Sequence, residues 1–368
     1  MTLSKIDELA LRRCLSLAKR GFPAPNPHVG AVVVKGGAIV GEGFHNAAGQ
    51  AHAESIALAK AGKRAKGAEL YCTLEPCSHH GKTPPCTDAI IAAGVSTVTI
   101  LNLDPNPKVA GLDRLKEAGL TVRVLDATDF ALSAMRINEK FFWFHQTKRP
   151  FVTIKLAISL DGRIAAASGD SQWISSEPSR KAAHKLRALH GAVAVGSGTA
   201  GKDDPQLTVR HLRVVNQPLR VLFDSAGRTP EQSHLFDTAL APTILYCQSI
   251  PKLKRASLAD RGVEIVEQGG KGPVDLKGAL EDLGRRGVTG LLVEGGARLA
   301  ARLFDQRLAN KLILFVAPIL VGGQESFFRS KGVQSIADAP KLNNVSWRRS
   351  GPDFQFEGYL SVLGEPKE

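Results

Sequence analysis

Apolar and polar positions in the first 147 residues switch repeatedly between a helical period and short β-branched runs. The period predicts a helix over 6–19, strands over 31–34 and 38–44, and a helix over 52–61. A strand over 69–73 then enters a cysteine-bearing loop. It is followed by a helix over 87–93, a strand over 97–101, and helices over 112–118 and 129–145. Helices alternating with strands in this way are the order of a layered α/β domain.

The polar stretch Gln146-Thr147-Lys148-Arg149 ends that pattern, and Pro150 introduces a fresh apolar, β-rich run, Phe151-Val152-Thr153-Ile154. We therefore expect two domains, 1–147 and 148–368. The second repeats the alternation, with strands expected near 192–195, 219–224, 243–246 and 290–293 and strand-like segments near 311–317 and 354–362. No internal repeat links the halves. A length of 368 residues is ample for two separate cores.

Composition narrows the class. Hydrophobic residues at 43 % and charged residues at 23 % fit a folded globular chain and argue against disorder. No apolar run approaches the roughly eighteen residues of a spanning helix, and the N-terminal stretch reads as an amphipathic helix instead of a secretory leader, so a cytoplasmic protein is expected. Cys14, Cys72, Cys77, Cys86 and Cys247 are too few and odd in number for a disulfide framework, which turns attention to metal. The net charge of +13 asks for an anionic partner, but Lys and Arg are spread along the whole chain, so charge alone does not choose between nucleic acid, a membrane surface and phosphorylated small molecules.

The densest chemical signal is His52-Ala53-Glu54 followed by Pro76-Cys77 and Cys86. One imidazole and two thiolates make a three-ligand zinc site with an open position, the arrangement of a catalytic site and not of a closed structural one. With His52 and Glu54 at a helix start and Cys77 after a strand, helix N-termini can converge on the metal. Glu54, which is not a ligand, suits the proton shuttle of a hydrolytic deaminase.

These residues resemble the zinc deaminase superfamily. The second ligand pair, however, is spaced as Cys77-Ser78-His79-His80-Gly81-Lys82-Thr83-Pro84-Pro85-Cys86, where nucleoside and tRNA deaminases close with Cys-x-x-Cys. That loop, together with Pro25-Asn26-Pro27-His28-Val29-Gly30 and His45, looks like the deaminase half of the bifunctional riboflavin biosynthesis deaminase/reductase family, and the resemblance covers nearly the whole chain. It implies deamination of a phosphoribosylated diaminopyrimidinone, one Zn2+ per chain, and substrate contacts at Asn26, His45, His79 and Lys82. Asn26 between prolines reads also as a turn former. Family members carry Val-Ala-Gly-x-Gly after the Asp-Pro-Asn-Pro segment, whereas Val109-Ala110-Gly111 here runs straight into Leu112, as if a short stretch were missing.

In the second half, Gly290 to Glu294 reads as an apolar strand, Gly295-Gly296 as a turn and Ala297-Arg298-Leu299 as a helix start. Such a turn is able to cradle phosphate and is equally able to be a plain connection. No Gly-x-Gly-x-x-Gly fingerprint marks a dinucleotide site of the doubly wound kind. Lys155 to Arg163, Ser171-Gln172-Trp173, Gly196 to Thr199, Asp203-Asp204-Pro205 and Leu207 to Arg210 look like the family's reductase half, which is similar in fold to dihydrofolate reductase. The expected fold class is accordingly α/β: an N-terminal cytidine-deaminase-like three-layer αβα domain followed by a dihydrofolate-reductase-like α/β domain.

The resemblance implies reduction of the opened ribose to a ribityl chain by NADPH. It places Ala157, Trp173, Thr199, Asp203, Ser225, Gly295, Gly296, Ala297 and Arg298 at cofactor positions, and Ser171, Arg187, Leu207, Arg210 and Glu294 at substrate positions. The residue types suit this: Arg187 and Arg210 can fork onto a phosphate, Trp173 offers a flat face or is simply core, and Lys155 can neutralise the oxygen of a carbonyl being reduced. A phosphorylated substrate and NADPH account for the basic charge without nucleic acid or membrane. A homo-oligomer, dimer or tetramer, is expected. The rival is a nucleic-acid deaminase fused to a basic binding domain. It lacks any RNA-binding signature in the second half, and 6 % aromatic residues are few for base stacking.

Overall fold

The computed structural model describes residues 3–81 and 83–360, and it divides at 147/148 into two compact units. In the first, α1 (Lys5–Ala18) starts at Ser4, whose hydroxyl accepts the Asp7 N–H while the Asp7 carboxylate accepts the Ser4 N–H, a reciprocal cap. There follow β1 (Gly30–Lys35), β2 (Ala38–Phe44), α2 (Ala53–Ala61), β3 (Glu69–Cys72), α3 (Cys86–Ala92), β4 (Thr97–Ile100), α4 (Gly111–Glu117), β5 (Thr121–Val124), α5 (Asp129–Ile137) and α6 (Glu139–Thr147). The sheet order is β2-β1-β3-β4-β5, antiparallel at β2-β1-β3 and parallel from β3 onward. Side chains alternate across it: Ala31 and Val33 pack with Ala53, Ala57 and Ile90 on one face, Val32 and Val34 with Leu11, Cys14 and Leu17 on the other. That makes three layers, as expected.

One expected helix is two. The run 129–145 breaks at Asn138, whose side chain leaves the helical pattern to clasp the backbone of His28. Its Oδ1 accepts the His28 N–H at 2.7 Å and its Nδ2 donates to the His28 carbonyl at 2.8 Å. The apolar period continues across the break, which is why periodicity alone does not reveal it.

The second unit contains β6 (Phe151–Ser159), α7 (Glu177–His190), β7 (Gly191–Gly196), α8 (Ser197–Asp203), β8 (Leu219–Phe223), β9 (Thr243–Cys247), α9 (Lys252–Asp260), β10 (Glu264–Glu267), α10 (Leu276–Arg285), β11 (Gly290–Glu294), α11 (Ala297–Asp305), β12 (Lys311–Ala317), β13 (Asn343–Ser350) and β14 (Asp353–Tyr359). Its nine strands run β10-β9-β8-β7-β11-β6-β12-β14-β13, parallel as far as β12 and antiparallel beyond. Ala192 and Ala194 face one core, Val193 and Val195 the other. β11 lies between β6 and β7, so the connections reverse there. The C-terminal strand ends at such a point open a crevice suited to a ligand. The expected strand 354–362 is β14; its last residues lie outside the described set. Among the described residues no helix is long and apolar enough to cross a membrane.

Candidate active sites

His52 caps α2 with extended backbone, Cys77 lies in the loop after β3, and Cys86 is the first residue of α3, one earlier than expected. Their ligand atoms all fall within 4.8 Å of one another. His52 Nδ1 is 3.2 Å from Cys86 Sγ and 3.5 Å from Cys77 Sγ. A tetrahedral zinc with bonds of about 2.0 Å to nitrogen and 2.3 Å to sulfur sets a nitrogen-to-sulfur spacing of roughly 3.5 Å, so the set fits that metal. His52 Nε2 faces Thr83 Oγ1 at 3.2 Å, which leaves Nδ1 as the ligand atom. The Cys77 thiol is pushed well down, chiefly by hydrogen bonding with Cys86, then by His52.

Glu54 is in the first turn of α2, 3 % exposed, and burial pushes its carboxyl up to about 7, with the charge of Cys77 adding to the rise. A carboxylate held near neutrality beside a metal set is poised to take a proton and give it back. Asn26 N–H turns back to the Pro23 carbonyl, and its Nδ2 donates to His45 Nε2 at 3.1 Å. His45 Nδ1 in turn donates to the Ala51 carbonyl, and its ring meets that of His52 edge-on at 5.0 Å. Both His45 nitrogens are thus engaged by the protein in this conformation. Through this pair His45 orients Asn26, whose Oδ1 stays available. His79 is exposed on the 77–85 loop, and Lys82 lies outside the described residues.

The segment 104–112 closes directly against this loop. Glu75 spends one carboxylate oxygen on the Asp104 N–H at 3.1 Å and the other on the Leu112 N–H at 2.8 Å. Ser78 Oγ accepts the Ala110 N–H, and a Cβ on Gly111 would sit 1.9 Å from the Pro76 carbonyl. Burial, with Glu75 contributing, pushes Asp104 up to about 6.

In the second unit a cavity of about 1370 Å³ spans the strand ends. It is lined by Lys155, Ala157, Ser171, Trp173, Arg187, Thr199, Asp203, Leu207, Arg210, Ser225, Glu294 and the 295–298 turn, which is every residue singled out in this half. Gly295 at φ +85° and Gly296 at φ +74° separate β11 from α11, and a Cβ on Gly295 would meet Thr199 Cγ2 at 2.8 Å. No side chain caps the start of α11. Bare N–H groups over a floor with no room for a Cβ fit the diphosphate of a dinucleotide.

Glu294 faces Lys155 across the β11/β6 register. Arg187 donates to it twice, Nε at 2.6 Å and Nη2 at 3.0 Å, while Nη1 reaches the Thr208 carbonyl at 2.8 Å. In this conformation the Arg187 fork is occupied by Glu294 and the Glu294 carboxylate by Arg187. Arg210 keeps an exposed guanidinium that touches Gln206 through Nη1. Burial would raise Glu294, but Arg187 and Lys155 outweigh it and hold the carboxyl down at about 2. Lys155 shifts the other way from a simple pair: burial lowers it despite Glu294, because the carboxylate is committed to Arg187 and Lys155 Nζ stands off at 3.9 Å. Trp173 is no core residue; it is 68 % exposed with Arg180 4.8 Å above its ring. Ser171 Oγ donates to Asp203 at 3.3 Å.

Two contributors, Arg220 and His184, escaped sequence reasoning, and Asp204 entered it without a role. Arg220 is fully buried and donates to the carbonyls of Gln206, His234, Asp237 and Ala241. Asp204, left-handed at φ +37°, accepts from Ser233 Oγ, His234 N–H and His234 Nδ1. His184 Nδ1 accepts the Arg210 N–H at 3.2 Å. The run Asp203-Asp204-Pro205 carries a visible turn signal, but a lone arginine inside an apolar strand carries no sign of its partners.

A three-ligand zinc set with a buried glutamate on one αβα unit, and a dinucleotide-fitting crevice on a second, define a bifunctional deaminase and reductase. The chain matches the cytidine and deoxycytidylate deaminase zinc-binding region over residues 4–102 and the RibD C-terminal domain over 150–356. It is 40 % identical to the riboflavin biosynthesis protein RibD of Aquifex aeolicus over 95 % of this chain and 98 % of that one, and 40 % identical to that of Escherichia coli over 94 % and 97 %. RibD of Acinetobacter baumannii superposes with a TM-score of 0.86 at 36 % identity, covering 96 % of this chain and 99 % of that one. A Thermotoga maritima structure described as a diaminohydroxyphosphoribosylaminopyrimidine deaminase/5-amino-6-(5-phosphoribosylamino)uracil reductase gives 0.83 at 35 %, with 96 % and 98 % covered. The chain belongs to the RibD family, the deaminase/reductase enzymes of riboflavin biosynthesis, whose cofactors are zinc and NADPH.

Proposed function

We propose that this enzyme deaminates 2,5-diamino-6-(5-phosphoribosylamino)pyrimidin-4(3H)-one and then reduces the ribosyl group to give 5-amino-6-(5-phosphoribitylamino)uracil. The observation that carries the reading is the convergence of His52 Nδ1, Cys77 Sγ and Cys86 Sγ beside the buried Glu54. His52, Cys77 and Cys86 hold the zinc, which when bound makes water acidic enough to attack near neutral pH. Glu54 takes the water proton and passes it to the amine nitrogen. A bond forms from oxygen to the ring carbon, the carbon–nitrogen bond breaks, and ammonia leaves. Asn26, oriented by His45, reads the pyrimidine edge, with His45, His79 and Lys82 as further substrate contacts.

In the second unit, Ala157, Trp173, Thr199, Asp203, Ser225 and the Gly295 to Arg298 turn hold NADPH, and Ser171, Arg187, Leu207, Arg210 and Glu294 hold the phosphorylated substrate. Arg187 and Glu294 fix Lys155, whose ammonium meets the negative charge that develops on oxygen as hydride reaches the sugar carbon. The substrate is a phosphorylated pyrimidine, and the reading needs neither nucleic acid nor a membrane. A cytoplasmic homo-oligomer, dimer or tetramer, completes the proposal, and sedimentation reads its size.

A coupled assay on the diaminopyrimidinone with NADPH tests it, following ammonia and nicotinamide absorbance together. Ammonia first and NADPH loss second is the expected order. Ammonia without NADPH loss removes the reductase half, and neither signal from zinc-loaded protein overturns the substrate assignment.

A further inference from the structure

The crevice of the second unit crosses the C-terminal ends of four adjacent strands in the order β6, β11, β7, β8, a width of roughly 14 Å at about 4.8 Å per strand. Its two ends differ in chemistry. At β6 and β11 stands the cluster of Lys155, Glu294 and Arg187; in the middle, Gly295-Gly296 abuts Thr199. Beyond β8 stand Ser225 and Arg302, joined through one residue. Val274 donates its N–H to Ser225 Oγ at 3.0 Å, and its carbonyl accepts from Arg302 Nη2 at 2.7 Å.

Arg302 and Ser225 are thus tied to the same residue in the cavity lining, and the arginine keeps most of its donors unspent. Asp275, whose charge reaches it, makes no ion pair with it and caps α10 through Oδ1, which accepts the Lys277 N–H. A guanidinium held by one backbone carbonyl, lining a cavity beside a hydroxyl that accepts from the backbone and so keeps its own proton to donate, is a receptor for a phosphate monoester. A dinucleotide whose diphosphate lies over the glycine turn and whose nicotinamide reaches the Lys155 end has its adenosine ribose at this opposite end.

Resting on the NADPH-reductase reading above, we propose that Arg302, with Ser225, recognises the 2′-phosphate of the cofactor and is the residue by which this enzyme selects NADPH over NADH. The diphosphate turn is blind to that difference, because both cofactors carry the same diphosphate. Discrimination has to come from a cation at the ribose, and Arg302 is placed there by Val274.

The test compares wild type, Arg302→Ala and Arg302→Lys on pre-deaminated substrate with NADPH and with NADH, and measures by calorimetry the direct binding of adenosine 2′,5′-bisphosphate against adenosine 5′-monophosphate. Loss of a charge-assisted phosphate contact should raise KM for NADPH by about 10- to 100-fold in the alanine variant, with the lysine variant in between. KM for NADH should stay unchanged, and the advantage of the bisphosphate over the monophosphate should vanish. Unaltered NADH turnover shows that the site is still folded. Equal losses with both cofactors, or an unaltered KM for NADPH, overturn the proposal. A wild-type enzyme that oxidises neither cofactor overturns the reductase reading instead.

Discussion

Arg187 and Glu294 are locked together by two hydrogen bonds of 2.6 and 3.0 Å, in the lining of the second unit's cavity. The carboxylate also faces Lys155, so one acid serves two cations. Replacing Glu294 by Gln removes the charge and leaves the arginine buried beside a neutral amide, a loss on the order of 3–5 kcal/mol. Lys155, already lowered by burial, loses the influence that raises it, and so sheds its proton at lower pH. The expected outcome is a high-pH limb of reductase activity displaced to lower pH, with ammonia release unchanged. A pH profile of kcat that keeps its high-pH limb in place would show that Lys155 does not depend on this acid.

Glu54→Gln keeps the shape of the buried side chain and removes its ability to carry a proton. Ammonia release should fall by about 10²- to 10⁴-fold, the usual worth of a positioned acid–base group. NADPH oxidation on pre-deaminated substrate should not change, because Glu54 belongs to the other compact unit. Both activities read in one preparation decide it: joint loss contradicts two independent sites, and retained deamination removes Glu54 from the chemistry.

How much of this was legible beforehand follows from where the information sits. His52, Glu54, Cys77 and Cys86 are readable because metal chemistry demands particular residue types, and Gly295-Gly296 because only glycine leaves room there. β5, with the short run Thr121-Val122-Arg123-Val124, was not anticipated, and neither was β13, all but one of whose residues are exposed and so show no alternation against a core. The break at Asn138 and the Arg187–Glu294 lock escaped for a common reason. Each is a long-range pairing, 110 and 107 residues apart, and a side chain carries no mark of the distant group it will meet. The resemblance supplied positions along the chain, but only the geometry showed that two of them, Arg187 and Glu294, satisfy each other.

Two buried histidines contribute to the acid response of the fold. His28 is pushed down to about 3, first by burial, and His184 to about 4, again first by burial with Arg187 and Arg210 adding to it. Both are neutral when folded and take up protons near pH 6.5 when unfolded, so the unfolded state gains protons first as pH falls. Their contribution to stability is complete above about pH 6.5 and is lost progressively toward pH 3 for His28 and pH 4 for His184. Thermal unfolding followed from pH 7 to 4 should show Tm falling for the wild type and falling less for His28→Gln. An equal slope in both proteins would remove His28 from the acid response.

The short segment between β4 and α4 acts on the zinc loop through two contacts that a variant can break separately. Glu75 needs both oxygens as acceptors, one for the Asp104 N–H and one for the Leu112 N–H. Glutamine offers one acceptor and sets an amide N–H against the other donor, a loss of about 1–3 kcal/mol. Gly111→Ala works from the opposite side, since its Cβ would meet the Pro76 carbonyl at 1.9 Å and must push away the residue before Cys77. Either variant should surrender zinc to a chelator faster than wild type and release ammonia more slowly, while NADPH oxidation on pre-deaminated substrate stays constant. Zinc retention equal to wild type in both would mean that the loop holds Cys77 without help from the segment. A loss confined to Gly111→Ala would place the support in the carbonyl contact and not in the Glu75 hydrogen bonds.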